Sequence, residues 1–267
     1  MRLNNKLKEI IAYLLGLALI ALLLRLAGLI QADRLVFPGT GEILAAFFRL
    51  ILSARTWEMI GGTLMRLILA LAISVLGGTA LGLLTGLNSF LRHLLRPLSA
   101  MLRSIPMLVL IIVVMVLSRY QYVPVIASVL VLTPMIQEAA CEGCMRISTE
   151  LIDVWRMNSG LNLTVITHVY LPLMSGYLRQ SFLNAAAMGI KLVISGEYMV
   201  QARSSLGKAI YNSSYFNEYP DIYAYALIMI LMVLFLSSLP AALFRLISMR
   251  SAQKGLRVHR NAHPKAR

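Results

Sequence analysis

The chain has 267 residues, 59% of them hydrophobic and 13% charged, with a mean hydropathy of +0.77. This is too apolar for a soluble domain, and the continuous rather than alternating apolar runs exclude a β-barrel. The formal charge of +14 raises nucleic-acid binding as a reading, but the cations are sorted by connecting segment and not gathered on one face. The expected fold is an all-α polytopic membrane protein.

A bilayer core about 30 Å thick takes roughly 20 apolar residues per helix. Six such runs follow one another, at about 10–30, 60–86, 97–118, 123–145, 175–199 and 222–244. The first lacks a small-residue cleavage site and reads as a retained helix, not a signal peptide. After it, the turn Phe37-Pro-Gly-Thr-Gly41 and the apolar run 43–52 predict a short helix lying along the outer membrane surface. The second span carries Gly77, Gly78, Ala80, Gly82, Thr85 and Gly86. Small residues let membrane helices approach closely, so this span belongs inside the bundle.

Pro97 and Pro106 flank Arg103-Ser-Ile and predict a bent start to the third span, and Pro134 predicts a kink in the fourth. The polar stretch 201–221 reads as a structured loop with a short helix. The whole of 1–267 is one transmembrane domain, with its core at 60–245 and a basic tail at 246–267.

Counted by segment, fifteen Lys and Arg fall on the side shared by both termini and six on the other: Arg34, Arg49, Arg55, Arg119, Arg203 and Lys208. The positive-inside rule then places both termini and the loop between spans four and five in the cytoplasm, with the basic tail anchored on anionic lipid headgroups. Cys141 and Cys144 form a Cys-x-x-Cys inside the fourth span. Without a second ligand pair or an exposed loop they read as small packing residues, not as a redox or metal site.

The loop at 147–172 is polar and amphipathic. Ser148 or Thr149 can cap a helix starting near Glu150, and Ser159-Gly160 supplies a break. A second short helix, 161–170, is expected to end ahead of Pro172. Such an elbow presents Val154, Trp155 and Met157 to a cleft on a partner, with Asp153 and Arg156 at the rim.

This loop resembles that of the permease subunits of binding-protein-dependent ABC importers, which reads Glu-Ala-Ala, three residues, Gly, nine residues, Ile, one residue, Leu-Pro. Counting back from Leu171-Pro172 puts Val169 at the Ile position, Ser159 at the Gly and Asp153 at the Glu. Val154-Trp155 replace the alanines, and Gly160 lies one residue late. Glu138-Ala139-Ala140 is a decoy, since its distance to Leu171-Pro172 is wrong by fifteen residues.

Further matches over roughly 35–245 are Thr63-Leu-Met-Arg66, Leu94-Leu-Arg-Pro97, Arg103-Ser-Ile-Pro106, Gly143, Glu150-Leu-Ile, Gly176-Tyr-Leu-Arg179, Ser195-Gly-Glu197 and Leu206-Gly-Lys-Ala-Ile210. They resemble the branch that carries nitrate, sulfonate, taurine and thiamine precursors. The resemblance implies a homodimer of permeases in a bacterial inner membrane, served by an extracytoplasmic solute-binding protein. It also implies two separate ATPase subunits that hold ATP and Mg and grip Asp153, Val154, Trp155, Arg156, Ser159, Gly160, Val169, Leu171 and Pro172. The chain has no phosphate-binding Gly-Lys-Ser/Thr loop of its own. No catalytic residue, cofactor or metal is expected on it, and nucleic acid is not an expected partner.

Ionisable groups inside spans are costly and should pair or face the interior. Arg25 and Arg179 can snorkel from helix ends, and Arg66 reads as a structural helix contact. Glu138, Glu142, Lys191 and Glu197 are candidates for the translocation path. Lys191 either helps an anion pass or belongs to a buried ion pair that holds spans four and five in register, and depth along the spans leaves its partner undetermined between Glu138 and Glu197. An ion-coupled carrier or channel would need inverted repeats or broken helices around midplane charges; the charges are present, but no repeat is. An intramembrane enzyme would need a convergent catalytic cluster. The expected cargo is a small sulfonate, a nitrate-like oxyanion or a pyrimidine or thiamine precursor.

Overall fold

The computed structural model describes Leu15 and residues 38–148, 150 and 162–236. The span at 10–30 apart from Leu15, the basic tail and Asp153 to Gly160 of the loop lie outside the described residues. Among the described residues there is no strand, and the fold is that of an all-α polytopic membrane protein.

Helix α1 (Thr40–Leu52) is the short helix expected ahead of the second span. The Gly39 N–H donates to the Glu42 carboxylate at 3.2 Å, placing a negative charge at the positive end of the helix. One residue later α2 begins (Ala54–Leu87). Trp57 Nε1 donates to the Ile51 carbonyl at 2.8 Å across the joint.

At 1.5 Å per residue α2 is about 51 Å long, more than a bilayer core needs. Its buried side runs Ile60, Thr63, Leu67, Ala70, Ser74, Gly78, Gly82 and Thr85, the three- and four-residue spacing of one helix face. Helix α5 (Val123–Met145) lies against that face. A Cβ on Gly78 would stand 2.8 Å from Ile136 Cβ, and one on Gly86 would stand 2.6 Å from Cys144 Cβ. A Cβ on Gly82 would press on Ala140 and stand 2.6 Å from the Gln137 carbonyl. Glycines every fourth residue therefore bring the two backbones together, as small-residue membrane interfaces do. Cys141 and Cys144 are free, buried thiols in this contact, consistent with their reading as packing residues. Pro134 sits inside α5 without ending it.

The stretch read as one span at 97–118 is two helices. After α2, Asn88 Oδ1 accepts from Phe90 N–H at 2.9 Å and caps α3 (Ser89–Ser104). Helix α4 (Met107–Leu117) is turned away from α3 by 105°. Pro106 has no N–H to continue α3 and forces Ile105 out of helical geometry, to φ −65 and ψ 127. The break thus falls at Pro106, while Pro97 is carried inside α3.

Helix α6 (Leu171–Val200) corrects a second expectation. The helical stretch before it does not end ahead of Pro172. Leu163–Val165 and a wider π-type turn, Ile166–Tyr170, run straight into it. The Leu171 N–H reaches the Ile166 carbonyl, and this five-residue register loosens the backbone where the proline ring would crowd the preceding turn.

The short helix α7 (Leu206–Tyr215) lies within the polar stretch 201–221, as expected. Ser205 Oγ accepts from the Lys208 N–H at 3.1 Å to cap it. Helix α8 (Tyr219–Leu236) follows, and Arg49 on α1 forms an ion pair with its Asp221. The core lies where α2, α5 and α6 meet, around Leu67, Leu132, Ile136, Ile190 and Val193.

Candidate functional site

Helix α6 has the length to cross a bilayer but not the composition. Among the described residues the helices apolar enough are α2, the stretch Tyr120–Met145 and α8, with α3 and α4 counting as one more if taken together. Several of its polar residues share one face. Gly176, Gln180, Asn184, Met188 and Lys191 are exposed and Ser195 is half-buried, returning every three or four residues to the same side. Gln180 Nε2 donates to Asn184 Oδ1 at 3.3 Å along it. The other side is packed so closely that a Cβ on Gly189 would stand 2.8 Å from Leu67 Cδ1.

Lys191 has no carboxylate within ion-pair distance among the described residues. An ammonium on a spanning helix is expensive against hydrocarbon. This face is thus suited to water, a ligand or another protein surface rather than to lipid.

The four ionisable candidates do not form one cluster. Glu197 is fully buried on the side of α6 that meets α2. Arg66 Nη1 donates to Glu197 Oε1 at 2.9 Å and Thr63 Oγ1 donates to its Oε2 at 2.8 Å. The Gly207 N–H donates to the same Oε2 at 3.2 Å. A Cβ on Gly207 would stand 2.5 Å from that of Glu197, so the approach is open to glycine only. Arg66 Nη2 also donates to the Arg203 carbonyl at 2.8 Å, and the Leu206 N–H to Thr63 Oγ1 at 3.1 Å. One carboxylate thereby joins α2, α6 and the start of α7.

Glu138 and Glu142 lie towards the other end of the bundle, both exposed, where Arg103 of α3 pairs with Glu138 and Arg146 with Glu142 at 3.3 Å. The pair between Lys191 and Glu138 or Glu197 does not form: the two carboxylates are engaged elsewhere and Lys191 faces outward. The sequence reading missed Arg66, Thr63 and Gly207 as partners of Glu197. The available signal was that Arg66 and Glu197, of opposite charge, both stand towards the same ends of their spans.

Of the loop residues, Val169 and Tyr170 are buried against Ala140, Cys144 and Met174. Leu171 is half-buried and Pro172 exposed. Val169 therefore bolts the segment to α5 and is not itself a surface contact. Asp153, Val154, Trp155, Arg156, Ser159 and Gly160 lie outside the described residues. His168 is exposed, with Nδ1 3.0 Å from the Thr164 carbonyl. At the Ser53 end of the bundle a polar cavity of about 680 Å³ opens between the α1–α2 joint and α7, lined by Arg55, Glu58, Arg203, Lys208, Glu218 and Asp221 among others.

A family profile described as "Binding-protein-dependent transport system inner membrane component" matches residues 78–253. Two crystal forms of the inward-facing MetNI methionine ABC transporter, one native and one soaked with selenomethionine, have a similar fold. Each superposes with a TM-score of 0.59 at 16% identity over 72% of this chain, covering 97% and 93% of theirs. Comparison with curated protein sequences found no match.

Proposed function

The chain belongs to the family of binding-protein-dependent transport system inner membrane components, and on that premise we propose that its α6 face lines the solute path of an ABC importer. The observation that carries this reading is the exposed polar stripe of Gln180, Asn184 and Lys191 on α6, a helix with the length to cross a bilayer. A second copy of the chain closes the path by presenting the same stripe across a twofold axis. Lys191 then offers each side of the path a cation, which favours a small anion such as a sulfonate or nitrate-like oxyanion. A pyrimidine or thiamine precursor is the neutral-to-cationic alternative from the same branch.

The positive-inside count sets the orientation: the Asn88 end of the bundle faces the cytoplasm of a bacterium and the Ser53 end faces outward, towards a solute-binding protein. Two separate ATPase subunits, carrying ATP and Mg, grip the loop at 147–172. Val169 and Tyr170 pass its movement to α5, while the continuous turn through Pro172 passes it to α6. In this role Glu197 is structural, and it ties the outer ends of α2 and α6 together.

The test is uptake into proteoliposomes holding the permease, its ATPase and its binding protein. Lys191→Met is expected to reduce anion uptake more than tenfold, while membrane insertion and ATPase co-purification stay at the parental level. Lys191→Arg should keep most of the uptake. Parental anion uptake by Lys191→Met would remove the lysine from the path.

A further inference from the structure

Helix α3 has no buried residue, yet its three sides differ sharply. Phe90, Leu94, Leu98 and Met101 form an exposed apolar stripe, each more than half exposed. At 3.6 residues per turn, Arg92 and Arg96 stand roughly 200° around the helix from that stripe. Midway between the two, Leu91, Leu95, Ser99 and Leu102 are half-buried against the bundle. Ser99 Oγ donates to Gln137 Oε1 at 2.9 Å, and Arg103 pairs with Glu138, which fixes the rotation of α3 on α5.

An apolar stripe and a basic stripe on opposite sides, with the protein attached at the flank, is the arrangement of a helix lying in a membrane interface. The 105° turn at Pro106 supports it, because α3 cannot share the direction of α4. Arg92 and Arg96 line a cavity of about 320 Å³ between α3 and the end of α5. Its two carboxylates, Glu138 and Glu142, are held by Arg103 and Arg146. Arg92 touches the Met145 sulfur, not an acid, and neither Arg92 nor Arg96 has an ion-pair partner among the described residues.

We propose that α3 is an interfacial helix whose Arg92–Arg96 stripe binds the headgroup phosphate of an anionic phospholipid, with Phe90, Leu94, Leu98 and Met101 set among the acyl chains. Two guanidiniums one turn apart suit a phosphate, which takes several donors at once. The apolar stripe commits the source to lipid and not to a free anion. The inference rests on the chain being a membrane protein and does not depend on what it transports or on which leaflet α3 meets.

The test uses the full chain in detergent micelles. A Leu94→Trp variant, read as the difference from the parent with its native tryptophans, is titrated with phosphatidylglycerol or phosphatidylcholine carrying brominated acyl chains. Quenching is expected from both, stronger with phosphatidylglycerol. Adding Arg92→Gln and Arg96→Gln should lower that preference by about fivefold per arginine removed. Equal quenching by the two lipids would overturn the headgroup site. Absence of quenching would mean that protein, such as a second copy, covers the stripe. Loss of the preference on adding inorganic phosphate would assign the arginines to a soluble anion.

Should Leu94→Trp fail to fold, native mass spectrometry decides, with Leu94 in place. The parent is expected to retain phosphatidylglycerol over phosphatidylcholine and the Arg92→Gln, Arg96→Gln double variant is not. Equal retention by both proteins would overturn the proposal.

Discussion

Arg66 and Glu197 stand 131 residues apart in sequence, yet their side chains meet at 2.9 Å, with Glu197 wholly buried and Arg66 about one-fifth exposed. The carboxylate is saturated by Thr63 and Gly207 as well, and that makes a buried charge tolerable in this setting. The Ala54 end of α2 and the Val200 end of α6 are joined through it.

Removing one partner should cost more than removing both. Glu197→Met removes the acceptor of Arg66 Nη1, of the Thr63 hydroxyl proton and of the Gly207 N–H, a loss on the order of 3–5 kcal/mol. The Arg66→Met, Glu197→Met double variant should regain much of it. Thermal denaturation in detergent across the full mutant cycle measures this, and additive losses would show that the two side chains are not coupled.

Two glycines of α2 should respond in opposite directions to the same change. Gly82→Ala drives a methyl into Ala140 and the Gln137 carbonyl, and overpacking of this kind costs about 1–3 kcal/mol. A Cβ on Gly61 would meet nothing within 4 Å, so Gly61→Ala should be neutral or stabilising by up to about 1 kcal/mol, from helix propensity alone. Detergent melting temperatures of the two variants provide the comparison.

The loop should fail in two distinguishable ways. Trp155→Ala with Asp153→Ala removes the proposed grip, so the ATPase should no longer co-purify or be stimulated by transport, while the permease inserts normally. Val169→Asp places a charge against Ala140, Cys144 and Met174. It should leave the grip intact and reduce uptake more than tenfold, with ATP hydrolysis continuing. Parental uptake by the first double variant would count against the loop as the coupling element.

Local patterns carried a large part of this fold. The glycines at 78, 82 and 86 announced a close helix contact because their fourfold spacing already defines a helix face. The helix at Thr40–Leu52 and the one inside 201–221 were legible from apolar runs and turn residues. Pro97 and Pro106 both announced a bend. Neither said which would break the helix, because a proline within a helix can be carried or can end it according to where the chain must go next.

Composition and the continuous apolar runs thus determined that this is an all-α membrane protein, and the loop register around Leu171-Pro172 determined its resemblance to importer permeases. These are properties of the chain read locally or summed along it. The tertiary structure alone decided which charges meet. Sequence depth left the partner of Lys191 undetermined, and the packing of α6 turns Glu197 inward to Arg66 and leaves Lys191 facing outward. A rotation of one helix about its axis changes every long-range partner while leaving hydropathy and length untouched, so the pairing is set by packing against α2 and α5.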